Sequence, residues 1–281
     1  MWSRILRAGA AVAALSLALT ACGGGGGSSS SANLADKAKN DKKLTIGIKF
    51  DQPGLGLKQP NGTYAGFDVD VAKYIAKQLG VDESGITWKE AQSAQREDLI
   101  KKGEVDFIVA TYSITDKRKN EVSFGGPYFI AHQDLLVRSD DTSITGPESL
   151  TGNKKLCSVK GSTPAQNVKD KYAKEVQLLE RATYSQCITS LLNGEVDAVT
   201  TDDIILAGYA LQQPDKLKVV GKGFSDENYG VGLKKDDTQG RTAINDAIQK
   251  MEQDGTWAAS LKTNLGQAKY SLPTTPPAIA P

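Results

Sequence analysis

The chain has 281 residues, with 34 Lys plus Arg against 33 Asp plus Glu and a single histidine. That length fits one large or two medium domains, and 39% hydrophobic with 24% charged residues is an ordinary soluble composition. A net charge of +1 with no basic run argues against nucleic acid as a partner; without Arg4 and Arg7 of the acid-free stretch 1–21 the balance becomes −1.

Residues 1–21 read as a signal peptide rather than as fold. "MWSRILR" is a basic start, and "AGAAVAALSLALTA" is an apolar run too short to span a bilayer comfortably. It ends in "LTAC", which resembles the lipobox of bacterial lipoproteins. That likeness implies lipidation of Cys22 by a diacylglyceryl group, with palmitate among the acyl chains; two chains suffice for stable anchoring. The alternative is a plain secretory signal with Cys22 present by chance. Residues 22–39, beginning "CGGGGGSSSSAN", then form a lipid-anchored Gly/Ser tether, with a reach of roughly 20 Å.

Past the tether, strands and helices alternate. "KLTIGIKF" (43–50) is a strand; "GFDVDVAKYIAKQLG" (66–80) is a helix with Phe67, Val71, Ile75 and Leu79 on one face and Gly80 as its stop. Strand 85–91, short helix 95–103 and strand 105–111 follow. Later strands read at 155–161, 176–180, 196–201, 216–221 and 229–233, and helices at 164–175, 184–194, 203–213 and 242–255. The alternation predicts an α/β protein with mostly parallel sheets. The Pro-rich tail 271–281 is expected to be disordered. Cys157 and Cys187 are either a disulfide, which an exported chain favours, or two buried thiols.

"KKGEVDFIVAT" (101–111) and "LLNGEVDAVTT" (191–201) are the same unit 91 residues apart: helix end, glycine stop, Glu-Val-Asp, strand, hydroxyls. Two lobes of similar build follow, with ligand expected outside the carboxyl ends of their strands and between the lobes.

"GFDVDVAKYIA", "VATYSITDKR", "VKGSTPAQN" and "VDAVTTDD", in this order, resemble the family-3 solute-binding proteins of polar amino-acid ABC transporters over residues 40–270. Within that family the chain looks most similar to glutamate-binding lipoproteins of Gram-positive, actinobacterial type, in which the Cys157/Cys187 pair is typical. The resemblance implies a two-lobed, type II periplasmic-binding-protein-like fold: lobe 1 at 40–134 plus 229–270, lobe 2 at 135–228, and hinges near 132–137 and 225–230. It implies a monomer, lipid-anchored on the extracellular face of the cell membrane, that delivers its ligand to ABC permease subunits.

The implied site takes shape residue by residue. Arg118 would grip the ligand α-carboxylate with its guanidinium fork. Thr111 and Ser113, two apart along a strand end, would both face the cleft. Thr163 would cap a helix with Pro164 at its first position, presenting backbone amides to a carboxylate. Asp202, in preference to Asp203, would pair with the α-ammonium. Lys49, where many relatives carry an acid, and Arg96 with Ser93 would meet an anionic side chain, as in acid-specific relatives. Each of these residues also has a bland alternative as a cap or a solvated charge. Together they favour L-glutamate, with aspartate as a second candidate.

Two other classes compete: an enzyme on the same fold, such as a dehydratase, and an amino-acid sensor module. His132, the one histidine, falls at the expected hinge, which leaves little room for a Ser–His–Asp arrangement. One histidine and two pairable cysteines do not furnish a metal site. No enzymatic activity, cofactor or metal is expected.

Overall fold

A computed structural model describes residues 33–172 and 176–280. The signal peptide, Cys22 and the glycine run of the tether lie outside the described residues.

The two Gly-Glu-Val-Asp units explain how the chain builds the same lobe twice. Gly103 and Gly194 both take left-handed backbone, at φ 67° and 74°, which a glycine adopts freely. Val105 and Val196 are buried. Asp106 then clamps the start of one strand, donating its N–H to Thr45 O at 2.7 Å and accepting Thr45 N–H at 2.7 Å. Asp197 does the same at Lys155, at 2.7 and 2.8 Å.

The elements in chain order are α1 (Leu34–Asp41), β1 (Leu44–Ile48), β2 (Asp51–Gln52), β3 (Gly56–Lys58), β4 (Tyr64–Ala65), α2 (Phe67–Gln78), β5 (Ile86–Glu90), α3 (Arg96–Lys101), β6 (Phe107–Ile108) and α4 (Asp116–Lys119). There follow β7 (Ser123–Ala131), β8 (Gln133–Arg138), β9 (Lys154–Val159), α5 (Thr163–Lys171), β10 (Val176–Arg181), α6 (Tyr184–Leu192), β11 (Ala198–Asp202) and α7 (Asp203–Gln212). The chain ends with β12 (Leu217–Val219), β13 (Glu227–Leu233), α8 (Thr238–Gln253) and α9 (Thr256–Leu265).

One sheet has the order β5-β1-β6-β13-β7, the other β10-β9-β11-β8-β12, and β2-β3-β4 form a small third sheet. In each large sheet four strands run one way and a single strand, β13 or β8, runs against its neighbours. Each reversed strand is the first one the chain enters after passing from one sheet to the other. The fold is therefore α/β and two-lobed, with mostly parallel sheets.

Each sheet is covered on both faces. Ile46, Ile48, Phe107, Val109 and Val231 join Val71, Ile75, Ile248 and Trp257 in the larger core. Ile108 and Ala110, pointing the other way, pack with Leu99, Ile100 and Phe124, as strand alternation requires. In the second lobe Leu135, Val137, Leu156 and Val168 form the outer core. Cys157 of β9 and Cys187 of α6 are joined as a disulfide with Cα atoms 5.5 Å apart, tying the sheet to the helix packed on it.

Three expectations are corrected. Residues 34–39 are not tether: Asn33 caps α1 by accepting Asp36 N–H at 2.9 Å, and Leu34 and Ala38 are buried. The tail is not free chain: Leu272 and Ile279 pack on the main core and Ala280 N–H bonds Gly126 O at 3.0 Å. The strand read at 105–111 is regular only over Phe107–Ile108, with flanking bonds from Asp106 and Val109 to β1, and the left-handed backbone of Thr111, φ 45°, turns the chain away beyond them.

Candidate functional site

The carboxyl ends of β1 and β6 in one lobe face the start of α5 and the end of β11 in the other. Lys49, one residue past β1, is 4% exposed and donates from Nζ to Ser93 Oγ at 2.8 Å. Burial, with Arg96 next in effect, pulls its amine down to about 7. An ammonium has three donors, so two remain.

Arg96 is 2% exposed and lies against the Tyr112 ring, 4.1 Å from its centroid. Its Nη1 donates to Ala110 O at 2.9 Å and to Thr111 O at 3.2 Å, while its buried Nε has no partner. Burial and neighbouring Arg118 lower it to about 10. Ser93 thus serves Lys49, and Arg96 braces the strand end while keeping a free donor.

Thr111 and Ser113 are not two teeth of one pleat. Thr111 holds left-handed backbone, costly for a β-branched residue by about 1–3 kcal/mol, and Asp68 secures it. Asp68 is fully buried, accepting Thr111 N–H at 2.9 Å and Tyr128 O–H at 2.7 Å. Burial raises its carboxyl to about 6 against those two donors. The Thr111 hydroxyl turns to Ala110 O at 2.8 Å and the Gln52 amide at 3.2 Å.

Arg118, on α4 behind its N-cap Thr115, reaches across the lobes. Nη1 donates to Ser113 O at 2.8 Å, Nη2 to Gly161 O at 3.0 Å, and Nε lies 3.3 Å from Glu97 Oε1. A guanidinium has five N–H groups, so one on each Nη stays available for a carboxylate.

In the second lobe the helix start is one residue earlier than expected. Ser162, not Thr163, is the N-cap of α5, its hydroxyl accepting Ala165 N–H at 3.1 Å, which puts Pro164 at the second helical position. The cap takes the Ala165 amide, leaving Thr163 as the donor at that terminus. The Thr163 hydroxyl donates to Glu227 Oε2 at 2.7 Å and lies 3.1 Å from Ser113 Oγ.

Asp202 and Asp203 divide their roles cleanly. Asp203 Oδ1 accepts the backbone N–H groups of His132 and Ile204 at 3.0 and 2.8 Å. Asp202 makes no cap; its Oδ2 accepts Tyr229 O–H at 2.5 Å and its buried Oδ1 has no partner. Burial, reinforced by Glu227, pushes its carboxyl well above the usual range. A carboxylate buried with one oxygen unused is costly unless a cation meets it.

A cavity of about 520 Å³ opens at the mouth of this cleft, between Ser93, Glu97 and Arg118 on one side and Gly161, Thr163 and Lys169 on the other. On the far flank Tyr209 O–H bonds Asp51 O, and Ser185 N–H bonds Asp51 Oδ2 at 3.0 Å. Sequence reasoning missed Asp68, Tyr112, Glu227 and Tyr229. Tyr112 alone left a local signal, as the aromatic between two hydroxyl residues. No group of three or more potential metal ligands occurs among the described residues, and no described helix is long and apolar enough to cross a membrane.

Residues 44–267 match the bacterial extracellular solute-binding proteins, family 3. The glutamate-binding protein GluB of Corynebacterium efficiens is 46% identical over 276 residues, 95% of this chain and 92% of that protein. GluB of Corynebacterium glutamicum is 48% identical over 273 residues, 93% of this chain and 91% of that one. An ancestral arginine-binding protein bound to arginine superposes at TM-score 0.74 with 34% identity, covering 80% of this chain and 99% of its own. A solute receptor for L-cysteine of Neisseria gonorrhoeae does so at 0.79 with 25% identity, covering 89% and 100%. The family match spans both sheets and both walls of the cleft, and the chain belongs to the bacterial extracellular solute-binding proteins of family 3.

Proposed function

We propose that this protein captures L-glutamate, with aspartate as a weaker ligand, between its two lobes and delivers it to the transmembrane permease of an ABC importer. The observation that carries the reading is charge matching. Arg96 and Arg118 both press down the Lys49 amine and Arg118 presses on Arg96, and across the cleft the buried Asp202 keeps a free oxygen. Glutamate supplies the complement, two carboxylates and one ammonium. The glutamate-binding names of both Corynebacterium relatives agree with it.

In this reading Arg118 and the Thr163 amide hold the α-carboxylate, Asp202 the α-ammonium, and Lys49, Ser93 and Arg96 the side-chain carboxylate. Thr111 and Ser113 line the wall between them. The lobes, 40–134 with 229–270 and 135–228, close about the crossovers near His132 and Ser225. The protein acts as a monomer and performs no chemistry. His132 sits in the crossover, its Nδ1 3.0 Å from both Ser225 O and Asp226 Oδ1. Cys22 carries the lipid that keeps the protein at the outer face of the membrane.

Calorimetric titration against the common amino acids tests the ligand. Heat with glutamate and weaker heat with aspartate is expected; heat only with glutamine, lysine or arginine would overturn it. Cys22→Ala should move the protein from the membrane fraction to the medium, and unchanged membrane retention would refute the anchor.

A further inference from the structure

Glu227 opens β13, at the inner end of the second crossover, and is buried. Both its oxygens are engaged: Oε2 accepts the Thr163 hydroxyl at 2.7 Å and Oε1 accepts the Ser225 hydroxyl at 3.1 Å. Tyr229, two residues on and therefore on the same face of the strand, reaches Asp202. The backbone of Tyr229 in turn bridges to Ser113. One strand thus reaches Thr163, Asp202 and Ser113.

The hydroxyl hydrogens can be counted. A carboxylate only accepts, so the single Thr163 hydrogen is committed to Glu227. The 3.1 Å contact between Ser113 and Thr163 then has one assignment, with Ser113 donating. Neither hydroxyl has a hydrogen left for the cleft, while both keep lone pairs. With Asp202 Oδ1, these two hydroxyl oxygens offer lone pairs, set apart from the free N–H groups of Arg118.

We propose that Glu227 is a specificity-determining positioning residue: by fixing Thr163 and Ser113 as acceptors it makes the site demand an ammonium-bearing ligand and reject the same diacid without the amine. This rests on the glutamate reading for its choice of ligand pair, though the hydrogen count does not. Glu227 touches no ligand itself in this scheme; it acts through Thr163. An uncharged group in its place frees the Thr163 hydrogen to point into the cleft, where it opposes an ammonium and welcomes a carboxylate or carbonyl oxygen.

The test is the ratio of affinities for L-glutamate and glutarate, measured by calorimetry on the mature full-length protein and on Glu227→Leu and Glu227→Asp. Wild type should prefer glutamate strongly. Glu227→Leu should shrink the ratio at least tenfold, with glutarate binding held or improved. Glu227→Asp keeps the charge but withdraws it by one methylene, and should shrink the ratio likewise; it carries the test if the leucine variant fails to fold. Equal loss of both ligands, or an unchanged ratio, overturns the proposal, because a merely structural role weakens both alike. A full ratio in Glu227→Asp also overturns it, since long-range charge would then be the cause. Wild-type protein that binds neither compound refutes the glutamate reading instead, and the ratio is then read with the amino acid it does bind and that compound's des-amino analogue.

Discussion

The hydroxyl of Thr163, at the start of a helix in the second lobe, lies 3.1 Å from the hydroxyl of Ser113, just past a strand end in the first. Beside them Arg118 of the first lobe donates to Gly161 O of the second at 3.0 Å. The side chains assigned to the ligand in the proposed reading are thus the ones that join the two lobes, and in that reading a residue that grips the ligand also closes the cleft.

Arg118→Lys should weaken every α-amino acid by about a hundredfold, because an ammonium that serves Ser113 O and Gly161 O has one N–H left for a carboxylate where the guanidinium fork has two. Lys49→Met should instead penalise acidic ligands and spare their amides. Titration of both variants with glutamate and glutamine checks this division; equal losses for both ligands in both variants would refute it.

The Lys49 amine, lowered to about 7 by burial with Arg96 next in effect, is charged below that pH and neutral above it. A ligand carboxylate placed beside it draws a proton back. Glutamate binding at pH 8 should take up close to one more proton than glutamine binding, and the difference should vanish at pH 6. Titration in buffers of different ionisation enthalpy reads this directly. Comparing the two ligands isolates Lys49, since any proton that Asp202 releases toward the shared ammonium cancels.

Asp68, raised by burial to about 6, holds more protons folded than unfolded between about pH 4 and pH 6. The native state loses stability as pH rises through that window, and Asp68→Asn does not share the loss. The stability of the Asn variant relative to wild type should improve by about 2 kcal/mol between pH 4.5 and pH 7.5, measured by urea unfolding. A pH-independent difference would contradict the burial argument.

Replacing Cys157 and Cys187 together by alanine opens a link with a sequence separation of 30, which should cost roughly 3–4 kcal/mol. Glutamate affinity should stay within about twofold, as neither cysteine lines the cavity at the cleft mouth. Calorimetric unfolding and titration of the double variant test the two halves separately.

Where hydrogen bonding and packing were local, the sequence was readable. The spacing of Phe67, Val71 and Ile75 marked α2, and the twin Gly-Glu-Val-Asp units marked two lobes of like build; the structure adds that Asp106 and Asp197 are there to start the strands at Thr45 and Lys155. Where partners are distant in the chain, it was not. Asp68 meets Thr111 across 43 residues and Thr163 meets Glu227 across 64, and no local pattern announces either pairing. The cap at α5 went to Ser162 because in "GST" two hydroxyl residues compete for one role, and only backbone geometry decides between them. The long strand β7 is hidden in the sequence because its "SFGGPYFIA" carries two glycines and a proline, residues that read as a turn until β13 is laid beside them.

That last pairing sets an order on synthesis. All the strands of the second lobe have left the ribosome or translocon by Val219, but β13 must arrive before β6 and β7 can belong to one sheet. Until residue 233 emerges, the first lobe is two fragments with open edges, and Phe124, Tyr128 and Phe129 of β7 lack their backing. The nascent chain is thus most vulnerable late, after more than four-fifths of it has been made, and a quality-control factor that guards it has to act on an N-terminal half waiting for its C-terminal strand.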